Sequence, residues 1–80
     1  MLTKYIDAAM EQAKYEILED SRTYYGSIPG FKGVWAEGKT QEQCREELQE
    51  VLEEWILIRV SRRLSLPTLK GINLKISKVA

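Results

Sequence analysis

Hydrophobic positions in the first half of the chain change from helical to strand spacing. Over residues 2–13 they recur every three or four positions, which predicts a helix with one side packed on a core. Over residues 14–20 apolar and polar side chains alternate, which predicts a strand. Two further short strands are predicted over residues 23–29 and 33–38. Because the connections between them are short, the three strands are expected to form an antiparallel meander.

The second helix is the element that the pattern indicates most strongly. Thr40 is followed three positions later by Gln43, which is the spacing of a capping box at a helix N-terminus. Glutamates crowd one side of the segment that follows, and Pro67 limits its length, so we expect a long helix to about residue 64. The apolar stripe on its other side consists of Cys44, Leu48, Val51, Leu52, Trp55 and Ile56.

A final strand is predicted over residues 71–77, where Ile72 and Leu74 belong to an alternating apolar side. The predicted fold class is therefore α+β, in a single domain spanning residues 1–80. It comprises an N-terminal helix, a three-stranded antiparallel meander, a long helix and a final strand that joins the sheet. An exposed edge at this last strand would allow Ile72 and Leu74 to contact a second chain.

Several features favour self-association. A chain of 80 residues has a small core, and one cysteine with no histidine excludes an internal disulfide and the usual zinc site. Leu57 is expected to point outward among glutamates, so Leu57 and Val60 are predicted to contact another chain, the alternative being helix turns that fray in solvent. The sheet also has apolar residues on both sides, and the first helix or a partner must cover the second side. A dimer or tetramer is expected.

Charge and hydropathy restrict the partners. Twelve basic and twelve acidic residues give a net charge of zero, which argues against direct binding of DNA. No run of about 18 apolar residues is present, so no membrane partner is expected. The N-terminus has no apolar signal core, and the cytoplasm is the predicted compartment.

Catalytic chemistry is not indicated by the residues. Carboxylates near the first strand, at Glu16, Glu19 and Asp20, are candidates with Glu37 for a two-metal nuclease site. Glu19 and Asp20 are adjacent, however, and would point to opposite sides of a strand. Cys44 lies in the centre of the apolar stripe without a histidine to activate it, which predicts a buried thiol. No catalytic residue, metal site or cofactor is predicted.

The segment "YYGSIPGFKGVWAEGKTQEQCREELQEVLEEW" resembles the HicB antitoxin family. The resemblance rests on an aromatic pair, "IPG" followed by "GVWAEG", and a threonine-capped helix. The acidic strand "YEILED" precedes these motifs and Pro67 follows them, so the resemblance covers about residues 15–67. It implies a partial RNase-H-like fold without the nuclease carboxylates. It also implies direct binding of a small, basic, RNA-cleaving toxin of the HicA type. Full HicB proteins carry a C-terminal DNA-binding module, which we do not expect within these 80 residues.

Three functions follow from these observations. The first is a non-catalytic, antitoxin-like module that neutralises a HicA-type toxin by binding it. The alternatives are a metal-dependent nuclease remnant on an RNase-H-like frame, and a stand-alone homo-oligomeric protein whose partner is unknown. The residues predicted to contact a partner are Glu46, Glu50 and Glu54 on the long helix, and Tyr24 and Trp35 on the strands.

Overall fold

The computed structural model describes residues 2–69 and has the predicted α+β arrangement. The final strand, with Ile72 and Leu74, lies outside the described residues. The elements follow in the predicted order, with boundaries one or more residues shorter than the sequence pattern indicated. They are α1 (Leu2–Glu11), β1 (Lys14–Leu18), β2 (Thr23–Ser27), β3 (Trp35–Gly38) and α2 (Gln41–Ser61).

The three strands form an antiparallel sheet in the order β1-β2-β3, as the short connections predicted. Tyr15 pairs with Gly26, and Gly26 pairs with Ala36, so these three residues lie on the same side of the sheet. The helix α2 packs on that side, which we call the helix side. The strand residues between them face the opposite, open side: Lys14, Glu16, Leu18, Thr23, Tyr25, Ser27, Trp35 and Glu37.

The predicted cap of α2 is confirmed. Thr40 has an extended backbone, and its side-chain oxygen accepts a hydrogen bond of 3.0 Å from the backbone N–H of Gln43. The helix ends at Ser61, a few residues before the expected position. Arg63 adopts a left-handed backbone with φ 56°, and this conformation ends the helix before the proline is reached.

Two glycines allow α2 to lie close to the sheet. A Cβ atom added at Gly26 would lie 3.0 Å from the sulfur of Cys44, and one added at Gly38 would lie 2.6 Å from its backbone nitrogen. The thiol of Cys44 is fully buried and donates to the carbonyl of Ala36 at 3.5 Å. Burial raises the pKa of this thiol, and the nearby Glu37 carboxylate raises it further. The prediction of a buried cysteine is confirmed.

The helix α1 packs against α2 and leaves the open side of the sheet uncovered. Its fully buried Tyr5 has its ring centre 6.3 Å from that of Phe31, and its hydroxyl donates to the carbonyl of Pro67. The segment after α2 is thereby tied to α1. The apolar cluster between the elements comprises Tyr5, Ala9, Met10, Ile28, Phe31, Val34, Ala36, Leu48, Leu52, Ile56 and Leu69. Neither of the two described helices is long and apolar enough to cross a membrane.

Candidate functional site

The predicted acidic row is present on the outer side of α2. Glu46, Glu50 and Glu54 are all exposed and follow one another at four-residue spacing, so their side chains form a line along the helix. We call these three residues the acidic ridge. Their exposed neighbours on the same helix add further negative charge; they are Glu42, Glu47 and Glu53.

A groove between the ridge and β3 is also acidic. Among the described residues that line it, Lys39 contributes the one ammonium group, against several carboxylates. Gln49 is part of the lining, and its amide donates to the Glu53 carboxylate at 3.1 Å. This side of the molecule is therefore strongly negative, although the whole chain has no net charge. The carboxylates that line the groove belong to Glu37, Glu46, Glu47, Glu50 and Glu53.

The two strand residues predicted to contact a partner lie on opposite sides of the sheet. Tyr24 pairs with Gly38 on the helix side and is half-buried. Trp35 pairs with Ser27 on the open side, where its side chain is 52% exposed. The structure therefore does not bring these two residues together.

The aromatic neighbour of Trp35 is Tyr25, a residue that the sequence reasoning missed. Their ring centres lie 5.8 Å apart at an interplanar angle of 24°, which is a stacked arrangement. We call this pair the aromatic platform. The signal that could have identified Tyr25 is the pairing of β2 with β3, because that register fixes which of two adjacent tyrosines shares a side with the tryptophan.

The carboxylates that are candidates for a nuclease site are spread over two strands and a turn. Glu19 and Asp20 lie in the turn after β1, and not on a strand as the sequence predicted, because β1 ends at Leu18. Glu16 and Glu37 face the open side, and Tyr25 stands between them in the strand register. The hydroxyl of Thr23 donates to Glu37. Among residues 2–69 no group of three or more histidine, cysteine, aspartate or glutamate side chains is arranged to hold a metal ion.

The two residues near the end of α2 that were predicted to mediate self-association have different environments. Leu57 is 69% exposed, whereas Val60 is half-buried and packs against the core. The neighbouring Trp55 is held from two directions. Its ring lies 5.1 Å from that of Phe31, and the guanidinium of Arg59 lies 4.8 Å from its centre. Of the predicted pair, Leu57 is the residue that is free to contact a second chain.

Comparison with known proteins places this architecture in a family. The model of the UPF0150-like family matches residues 4–67, a range that includes all three strands and α2. The chain belongs to the UPF0150-like family. This UPF0150-like protein is also similar in structure to TTHA0281 from Thermus thermophilus, which is known from a crystal structure. The TM-score is 0.88 and the sequence identity 42%, over 92% of this chain and 91% of that one. No curated protein matches the chain.

Proposed function

We propose that this UPF0150-like protein is a non-catalytic, antitoxin-like binding module. It neutralises a small, basic, RNA-cleaving toxin of the HicA type by direct contact in the cytoplasm. The UPF0150-like family is related to the HicB-like antitoxins. The motifs that resemble HicB lie within the matched residues 4–67. The observation that carries the proposal is the acidic ridge with its groove on one side of a molecule whose total net charge is zero.

The charge of the ridge suits a partner that binds RNA. Such a protein presents basic side chains to phosphates, and carboxylates attract those side chains over several ångströms. Like charges four residues apart cost an isolated helix a few tenths of a kcal/mol per pair, so the ridge carries a small cost in stability. A bound antitoxin that covers the basic surface would also exclude RNA from it.

The ridge and the aromatic platform contribute in different ways to such a complex. Charged groups in solvent mainly increase the association rate and lose effect as salt is added. Tryptophan and tyrosine side chains on the surface of the free protein become buried when an interface forms, and this burial slows dissociation of the complex. Both surfaces border Glu37, which faces the open side and also lines the groove. The ridge lies on the outer face of α2 and the platform on the opposite side of the sheet, so a partner that contacts both would have to pass around the β3 edge at Glu37.

The exposure of Leu57 supports a second proposal, that the protein is a homo-oligomer. Leu57 and its neighbour Ile58 are 69% and 52% exposed. Burying such side chains against a second copy is favourable by about 25 cal/mol for each Å² of apolar surface removed from water. Leu57 follows Glu50 by seven residues, about two helical turns, so this contact lies at the C-terminal end of the same exposed face of α2 as the acidic ridge.

The proposal is tested with the short basic protein encoded beside this chain, if one is present, in an RNA-cleavage assay. We expect equimolar addition of the antitoxin-like chain to suppress cleavage by that protein. We expect the chain alone to degrade no RNA, with or without magnesium. Magnesium-dependent degradation by the chain alone would favour the nuclease alternative, and undiminished cleavage in the mixture would contradict toxin neutralisation.

A further inference from the structure

The open side of the sheet carries one row of three side chains across all its described strands. Tyr25 on β2 is directly opposite Glu16 on β1 and directly opposite Glu37 on β3. Side chains that are directly opposite on adjacent antiparallel strands have their Cβ atoms about 5 Å apart. A tyrosine ring is thus flanked by a carboxylate on either side, and both glutamates are exposed.

Trp35 adds a second aromatic ring beside this row. Its ring stacks against Tyr25 with 5.8 Å between ring centres, and half of the tryptophan side chain remains exposed. The hydroxyl of Thr23 donates to Oε2 of Glu37, which orients that carboxylate beside the rings. The open side therefore presents a stacked and partly exposed aromatic pair, with the two carboxylates directly opposite Tyr25 in the strand register.

This combination has a specific chemical complement. A guanidinium is planar and cationic, stacks on aromatic rings, and donates parallel hydrogen bonds to carboxylates. An ammonium carries the charge without the planar face. A nucleic-acid base could stack on the rings, but its phosphates would be repelled by Glu16 and Glu37. Within the three described strands Lys14 is the one basic residue on this side, so the charge of the strand surface is negative.

We propose that the aromatic platform and its two flanking glutamates bind an arginine side chain of a basic protein partner. The inference goes beyond the proposed function, because it names the side chain that this surface takes whether or not the partner is a toxin. It shares with that proposal the basic character of the partner. Glu37 also lines the acidic groove, so the arginine site is continuous with the acidic ridge.

The test uses the full chain and small probes, independently of any toxin. The indole N–H signals of Trp35 and Trp55 are followed by NMR while N-acetyl-arginine methylamide is added. The probe is expected to shift the Trp35 signal in a saturable manner at millimolar concentration and to leave the Trp55 signal in place. N-acetyl-citrulline methylamide has nearly the same shape without charge, and it should leave both signals unchanged.

Variants separate this site from the acidic ridge. Glu16→Gln with Glu37→Gln should weaken arginine binding about fivefold, since two exposed charge pairs are lost. Glu46→Gln with Glu50→Gln and Glu54→Gln should leave it unchanged within about twofold, because these residues lie on the helix. All five residues are exposed, so circular dichroism should show an intact fold for both variants.

Four results would overturn the arginine site, the first three in the unmodified chain. Those three are an unmoved Trp35 signal, an equal response to citrulline, and a shift produced by a short single-stranded RNA at lower concentration than by arginine. Loss of the Trp35 response in the ridge variant would also overturn it. Each of these outcomes leaves the RNA-cleavage test of the proposed function unaffected, so failure of one is distinguishable from failure of the other.

Discussion

The sulfur of Cys44 lies directly above Gly26, where an added Cβ atom would be 3.0 Å away. This contact fixes how closely the first turn of α2 approaches β2. Gly26→Ala would place a methyl group against both that sulfur and the Tyr15 ring, also at 3.0 Å. We expect a loss of about 1–3 kcal/mol in the free energy of unfolding, measured by urea titration.

A second substitution distinguishes overpacking from loss of backbone flexibility at this position. In the double variant Gly26→Ala with Cys44→Ala, the sulfur is removed and part of the clash is relieved. Its free energy of unfolding should exceed the value expected from adding the two single effects. Simple additivity would show that the contact between residues 26 and 44 does not limit the approach of the helix.

The N-cap of α2 gives a prediction with a conservative control. Thr40→Ala removes the oxygen that accepts from the Gln43 N–H, and we expect a loss of about 1 kcal/mol in the free energy of unfolding. Thr40→Ser retains a hydroxyl acceptor and should stay within about 0.5 kcal/mol of the wild type. Equal losses in the two variants would show that the capping bond contributes nothing.

Self-association is predicted to depend on Leu57. Sedimentation of the wild-type chain at micromolar concentration should show a dimer or larger assembly, and Leu57→Glu should shift it to monomer. Gln41→Glu adds the same charge at an exposed position of the first helical turn and should leave the assembly intact. Val60 is unsuitable for this test because it packs against the core. A wild-type monomer would refute the prediction.

Stability is predicted to fall at alkaline pH because of Tyr5. Burial raises the pKa of its phenol to about 12, against the opposing effect of the Arg59 charge. A group whose pKa is higher in the folded state holds its proton more tightly there. Its contribution is present below about pH 10 and is lost as pH rises from about 10 to about 12. The thiol of Cys44 and the phenol of Tyr15 also have raised pKa values and act in the same direction.

The variant Tyr5→Phe isolates the contribution of this phenol. Its free energy of unfolding, measured by urea titration over the same alkaline range, should decline less steeply than that of the wild type. Near neutral pH it should be somewhat less stable, because the hydrogen bond to Pro67 is lost. Parallel pH profiles for the two proteins would contradict the role assigned to Tyr5.

Local patterns in the sequence were sufficient to predict the elements found within residues 2–69, because the causes of those elements are local. The Thr40 cap and the apolar stripe around Leu48 depend on residues a few positions apart, and both are present in the structure. The sides of the sheet are decided by long-range packing instead. Ile17 is on the helix side by alternation, yet it is 60% exposed because α2 lies over β2 and β3.

Only the part of the candidate site that depends on local spacing was predicted from the sequence. Four-residue spacing alone places Glu46, Glu50 and Glu54 in one row, and all three are exposed. Adjacent tyrosines at 24 and 25 cannot be assigned to a side until the register with β3 is known. The stacking of Tyr25 on Trp35 therefore emerged only from the structure.

The acidic ridge is tested most directly by the rate at which the chain associates with the basic, RNA-cleaving partner. The rate is measured by stopped-flow at ionic strengths of about 0.02 M and about 0.5 M, which change the screening length several-fold. Wild type is compared with Glu46→Gln, Glu50→Gln and Glu54→Gln combined. A control combines Glu11→Gln, Glu19→Gln and Asp20→Asn, which remove the same charge at exposed positions outside α2.

We expect the ridge variant to associate about tenfold more slowly than wild type at low salt and to lose most of the salt dependence. The control should stay within about twofold of wild type, because its charges lie away from the ridge. An unchanged association rate of the ridge variant at low salt, or an equal decrease in the control, would contradict the assignment of the ridge to partner binding.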